Sequence, residues 1–164
     1  MKYVFLFVIF LLCISIGFFY SKKYRTRLDF FFSLISLCQK FDVEINFSRA
    51  RVKNIFLSLD EKTKKKLCGI DNNYLSFLDG QIALEKEILF SGVNFLSENE
   101  KDLIFVFFNQ LGRSDVDSQS KETKNFQSRF ESLYENAQND NKKYGALSLK
   151  LGIVAGLFLI VIFI

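Results

Sequence analysis

The chain has 164 residues, with 22 Lys and Arg against 18 Asp and Glu for a formal net charge of +4, and it contains no His, Pro or Trp. Without His there is no imidazole base or ligand, and a Pro-free chain with only eight Gly suits long helices better than a loop-rich β fold. This length holds one modest domain plus a small number of membrane spans.

The chain opens on MKYVFLFVIFLLCISIGFFYSKKYRTR, in which Tyr3 to Tyr20 form 18 uncharged residues, at the lower end of what crosses a bilayer. The alternative is a cleaved signal peptide, with Lys2 as its basic region and Ser15-Ile16-Gly17 as a small-x-small cleavage site. The apolar run continues through Phe18, Phe19 and Tyr20, past that site, which favours a retained span. Bulky Leu12 before Cys13 does not suit a lipoprotein signal.

From Arg27 to Phe47, Leu28, Phe31, Leu34, Ile35, Cys38, Phe41 and Ile45 recur at intervals of three and four, which predicts a helix with one buried face leaving the first span directly. Phe47-Ser48 interrupts it, and Ser48 is the expected N-cap of a second helix with Val52, Ile55, Phe56 and Leu59 inward. Asp60 to Leu67 predicts a short charged helix stopped by Gly69. Asn72 and Asn73 then open another, with Leu75, Phe77, Leu78, Ile82 and Leu84 apolar.

Ser97-Glu98-Asn99-Glu100 has the form of a capping box. Its helix carries Leu103, Ile104, Phe107, Phe108 and Leu111 and is expected to end at Gly112, a suitable left-handed residue. Ser114 or Asp115 starts the next helix, with Asp115 and Asp117 at its positive end. Along it, Val116, Gln119, Thr123, Phe126, Phe130, Leu133, Ala137, Asp140, Tyr144, Leu147 and Leu151 alternate at three and four. Gln119, Thr123 and Asp140 weaken this seam, so it suits a helix packed in a bundle better than a zipper. No Pro or Gly lies between Ser114 and Tyr144, and one helix is expected to run from the Gly112 break into the second apolar stretch.

That stretch, Tyr144 to Ile164, has 21 residues, about 31 Å of helix and one bilayer core. Lys150 lies close enough to its start to snorkel to the headgroups. Gly152 and Gly156 form a G-x-x-x-G, candidate membrane helix-packing residues, with lipid-facing glycines as the other reading.

Lys22, Lys23, Arg25 and Arg27 follow the first span against Lys2 before it, and Lys142 and Lys143 precede the second. Both flanks predict a cytoplasmic middle with the two ends across the membrane. The expected organisation is all-α: an N-terminal transmembrane helix over 1–21, a cytoplasmic helical bundle over 22–143 and a C-terminal transmembrane helix over 144–164. Residues 28–141 carry a net charge of −4, which argues against nucleic acid, while the basic collars suit the anionic lipid bilayer. The clusters at Arg49, Arg51 and Lys53 and at Lys62, Lys64, Lys65 and Lys66 read as solvated helix faces.

No chemistry stands out. Phosphate-loop, dinucleotide and zincin motifs are absent, and the acidic pairs Asp42/Glu44 and Glu85/Glu87 have an i, i+2 spacing that does not face them together on a helix. Cys13, Cys38 and Cys68 are widely spaced and read as packing residues in a reducing compartment. No catalytic residue, metal or cofactor is expected, and an interaction or scaffold protein remains. The Gly112–Asp115 break is at least a helix–helix junction. In the functional reading Arg113, exposed at a tight turn, is a docking point for another protein.

The residue order resembles the stage III sporulation protein AB family of endospore-forming Firmicutes along nearly the whole chain. The resemblance rests on Gly17-Phe18, the run Lys23-Tyr24-Arg25-Thr26-Arg27, Glu44-Ile45, and Leu111-Gly112-Arg113-Ser114-Asp115 with Gln119. Near the end come Lys143-Tyr144, Leu151-Gly152-Ile153 and Gly156-Leu157. One departure falls at Ser48 to Val52, where the family tends to show Thr-Pro-Leu and this chain has no Pro, which leaves a surface built on that turn open to change.

The resemblance implies a helical bundle related to the cytoplasmic domains of the type II secretion platform protein F family. It implies a place in the mother-cell membrane around the forespore, in a channel-like apparatus. The implied partners are the apparatus ATPase, stage III sporulation protein AA, and other membrane subunits, and a homo-oligomer is compatible with this. Glu44, Leu111, Gly112, Arg113, Ser114, Asp115 and Gln119 are the candidate partner-binding residues. The competing class is an exported, tail-anchored structural or signalling protein with a cleaved first stretch.

Overall fold

In the computed structural model residues 2–163 are described, with side chains over 7–162. The elements are α1 (Lys2–Ser48), α2 (Val52–Leu57), α3 (Glu61–Lys66), α4 (Ile70–Leu78), α5 (Lys86–Leu89), α6 (Glu98–Gln110), α7 (Val116–Asp140), a π-helical turn (Asn141–Gly145) and α8 (Ala146–Phe163). Among the described residues every regular element is helical, so the fold is all-α. Two stretches, Phe7–Ser48 and Val116–Ile162, are long and apolar enough to cross a membrane. By their contacts the residues divide into a terminal unit, up to Leu28 and from Glu135 onward, and a central unit, Asp29–Tyr134.

In the terminal unit the first part of α1 and α8 run antiparallel, since contacts step down one helix as they step up the other. Gly156 faces Phe10 and Cys13, Gly152 faces Cys13 and Gly17, and Tyr144 stacks on Tyr24 with ring centroids 5.8 Å apart. Arg27 donates to Asp140 at 2.7 Å beside the charged ends of the apolar stretches. Ser15 and Ser148 return their hydroxyls to the carbonyls of Leu11 and Tyr144, at 2.8 and 2.7 Å. That satisfies polar groups that a hydrocarbon surrounding would leave unpaired. The unbroken α-helix expected beyond Ser114 gives way to π hydrogen bonding at Asn141–Gly145. Gly145 suits that turn, because a β-carbon there would lie 2.8 Å from Asn141 Oδ1.

The central unit is held by aromatic packing. On α1, Phe30, Phe31, Leu34, Leu37, Cys38 and Phe41 are fully buried, a wider face than the single stripe read from the sequence. Phe107 of α6 meets Phe130 of α7 edge-on at 5.3 Å and 90°, and Tyr74 of α4 meets Phe108 at 4.9 Å. Such pairs add about 0.5–1.5 kcal/mol each beyond the area they bury. Polar ties join α1 to α7: Ser120 donates to Asp42, Asn46 donates to Ser120 at 3.3 Å, and Lys124 lies 3.5 Å from Asp42.

Two expected helix starts move. Ser48 ends α1 rather than capping α2, whose N-cap is Arg51 in an extended conformation without a side-chain hydrogen bond. Asn72 and Asn73 lie inside α4, which begins at Ile70 after Gly69 at φ 89°. Burial of Ile70 and Tyr74, one helical turn apart, sets that start, and Asn73 spends its amide on the carbonyls of Ile88 and Leu89 at 2.9 and 3.2 Å. The charged helix α3 forms as expected, with Asp60 accepting from the Thr63 amide at 2.9 Å.

Candidate functional site

The candidate site is the junction of α6 and α7, and the local sequence dictates its backbone. The capping box at the head of α6 is present: Ser97 Oγ accepts from the Glu100 amide, and Glu100 accepts from the Ser97 amide at 2.7 Å. At the other end Leu111 leaves the helix with its side chain in the core, and Gly112 follows at φ 77°. A β-carbon at Gly112 would also lie 2.7 Å from Val52 Cγ2, so conformation and space both require glycine there.

α7 begins under its own cap. Asp115 accepts from the Ser118 amide at 3.1 Å, and hydrogen bonding from the Ser118 side chain, with that amide second, holds its carboxyl below the usual carboxylate range. Gln119 is buried at 3% exposure, and its Oε1 accepts from the Gly112 amide at 2.8 Å. Its carbonyl in turn accepts from Thr123 Oγ1 at 2.8 Å. Two of the three polar positions that weakened the seam, Gln119 and Thr123, are therefore satisfied within the fold, and Gln119 braces the turn.

The remaining candidate residues divide. Arg113 is exposed, and its guanidinium donates back along α6 to Asn109 Oδ1 at 2.7 Å. Ser114 Oγ donates to Glu122 at 3.2 Å. Glu44 is half-buried, and its backbone carbonyl accepts the Ala50 amide at 3.4 Å, where α1 turns through Arg49 at φ 47°. Gly112, Ser114 and Gln119 line a groove of about 380 Å³, whose opposite wall is Ile45, Arg49, Arg51 and Val52. Leu111, by contrast, belongs to the core.

Arg49 and Arg51, read from the sequence as a solvated helix face, are exposed, but on the turn between α1 and α2 rather than on a helix. Neither pairs with a carboxylate among the described residues.

In the terminal unit, Gly152 and Gly156 face α1 of the same chain. A β-carbon on Gly152 would lie 2.7 Å from the Cys13 carbonyl oxygen and 3.2 Å from Gly17 Cα, while one on Gly156 would lie 2.6 Å from the Phe10 ring. Gly17 is the reciprocal partner, since its β-carbon would lie 2.8 Å from the Ser148 carbonyl oxygen. Small residues on both helices let the backbones approach closely.

The cysteines are free thiols. Burial, with Glu131 adding to it, pushes the Cys38 thiol far above its ordinary value, and burial with Asp71 raises Cys68 as well. Both are poor nucleophiles. Among the described residues no cluster of three or more Cys, Asp or Glu is placed to hold a metal ion.

Compared with known families, residues 2–164 match the family model described as stage III sporulation protein AB. No curated protein matches the chain, and no solved structure matches it.

Proposed function

The chain belongs to the stage III sporulation protein AB family, which gives it a role in sporulation, and on that premise we propose that it is a non-enzymatic membrane platform component of the mother-cell-to-forespore apparatus. Its central unit lies in the cytoplasm and docks the apparatus ATPase at the α6–α7 junction, and its terminal helices cross the mother-cell membrane and meet other membrane subunits. Lysine and arginine flank both apolar stretches on the side of the central residues, which supports that orientation. Retention of the first span fits the close approach of Cys13 and Gly17 to α8, a contact that signal cleavage would remove.

One observation supports the docking surface above the rest. Gln119 holds the turn from within and Asp115 caps α7 just beyond it, so Arg113, tied to Asn109, sits on a fixed backbone. Pre-organised surface arginines favour association because less freedom is lost on binding. The test is co-purification of the full chain, in detergent, with the ATPase. Arg113→Glu should weaken it about tenfold or more with an unchanged helical circular dichroism spectrum. Undiminished binding discards this docking site, and a reporter inserted near Asn72 that is active only outside the cell discards the topology.

A further inference from the structure

Across the groove from Ser114, α1 ends and α2 begins on a turn that carries Arg49, Ala50 and Arg51. Ile45, Val52 and Val116 give its lining an apolar part, and Arg49 and Arg51 line it as well. Val116 is 37% exposed, an apolar surface at the first turn of α7.

Two facts single out the arginines. Residues 28–141 carry a net charge of −4, yet this opening has two cations and no carboxylate paired with either among the described residues. Arg49 also occupies a left-handed backbone conformation at φ 47°, where glycine would close the helix without strain. The chain keeps a long cationic side chain where its backbone disfavours one.

From this we infer that the groove binds a short acidic segment of a protein partner, with carboxylates on Arg49 and Arg51 and an aliphatic side chain seated against Ile45, Val52 and Val116. The inference rests on the docking reading above and deepens it by naming the chemistry of the docked segment. Arginine presents a planar fork that pairs with a carboxylate through two parallel hydrogen bonds, which a basic or neutral segment cannot reproduce. A groove of about 380 Å³ has room for an aliphatic anchor and its flanking backbone rather than for a whole helix. Arg113 points back to Asn109 and so adds charge beside the groove rather than within it.

The experiment is photo-crosslinking in sporulating cells, with a benzoyl-bearing phenylalanine analogue encoded at position 116 of the full chain and the captured peptide sequenced by mass spectrometry. The expected product is a peptide of the ATPase with several Asp or Glu beside Leu, Ile or Val. Arg49→Glu with Arg51→Glu should cut its yield about tenfold or more, and Arg49→Lys with Arg51→Lys should retain part of it. Capture of the ATPase through a basic or neutral segment overturns the inference and leaves the docking reading standing. Capture of an acidic–aliphatic segment of a different protein, lost in the Glu variant, upholds the inference and overturns the ATPase as its partner. No crosslink, or a crosslink indifferent to the Glu variant while the circular dichroism spectrum is unchanged, overturns the inference.

Discussion

The Gln119 side chain reaches back from the first turn of α7 to accept the Gly112 amide at 2.8 Å, closing the turn that separates α6 from α7. Gln119 is buried, whereas Gly112 is exposed, so water takes up part of what that acceptor supplies if the side chain is replaced. Gln119→Leu keeps the volume and removes the bond to the Gly112 amide, at a cost of about 0.5–1.5 kcal/mol. Gln119→Glu keeps an acceptor at that place and should cost less near pH 4, where its carboxyl is protonated and no charge is buried. Thermal unfolding of the full chain in detergent, followed by circular dichroism, checks the order. Equal losses for the two variants would remove Gln119 as a brace.

Gly112 itself offers a way to separate two causes. At φ 77° an alanine pays for a left-handed conformation, about 1–2 kcal/mol, and its β-carbon also meets Val52 Cγ2 at 2.7 Å. Forced overpacking adds about 1–3 kcal/mol. Val52→Ala removes the clash and leaves the backbone term. A double-mutant cycle between Gly112→Ala and Val52→Ala should therefore show the pair less destabilised than the sum, by about 1 kcal/mol or more. Strict additivity in denaturant unfolding would mean that the loop moves aside freely.

How far the sequence revealed this architecture depends on whether a signal is local. The capping box at Ser97 and Glu100, the glycine exit at Gly112 and the Asp115 start involve partners three or four residues apart, and these features could be read directly. The start of α4 could not. Cys68 at φ 56° and Gly69 at φ 89° are successive left-handed residues, and burial of Ile70 and Tyr74 against distant aromatics sets the register. Asn72 and Asn73 look like caps but serve the α5 carbonyls. Gln119 looked like a flaw in a heptad because its partner sits outside the periodic pattern. At the candidate site, Gly112, Arg113 and Asp115 stood out as a break, whereas the place of Arg49 and Arg51 in one groove with Ser114 and Val116 arises only once the end of α1 is folded beside the start of α7.

Asp71 gives the central unit a pH dependence. It is 2% exposed, and its Oδ1 has no hydrogen-bond partner among the described residues. Burial raises its pKa above the ordinary value. Backbone amides of Asp71 and Asn72 and the charge of Lys64 oppose that shift, and Glu61 reinforces it. The folded chain therefore holds this proton to higher pH than the unfolded chain does. Between the unfolded value, near about 3.9, and the raised folded value, stability falls as pH rises, and the loss persists above that window. Asp71→Asn should remove this loss, so its melting temperature exceeds that of the parent at pH 7 and the gap closes toward pH 4. Melting curves across that range test it, and a variant less stable than the parent at every pH would show that the carboxylate supports the fold.

The two glycines of α8 should not tolerate substitution equally. At Gly152 a β-carbon meets backbone, the Cys13 carbonyl oxygen at 2.7 Å and Gly17 Cα at 3.2 Å, and neither can move without shifting the whole helix. At Gly156 it meets Phe10 Cδ2 at 2.6 Å and Cε2 at 3.1 Å, on a ring that can turn aside. Gly156→Ala is therefore the milder change and Gly152→Ala forces α1 and α8 apart, losing the close packing on which helix association in a bilayer depends, since lipid tails as apolar as the side chains leave no hydrophobic drive to restore it. Cys13 reports this directly, since it lies in the contact and its thiol becomes accessible when the helices separate. With Cys38→Ala and Cys68→Ala leaving one thiol, maleimide labelling in detergent should be faster for Gly152→Ala than for the parent, with Gly156→Ala between them. Equal labelling rates in all three chains would mean that α1 and α8 do not hold each other through these glycines.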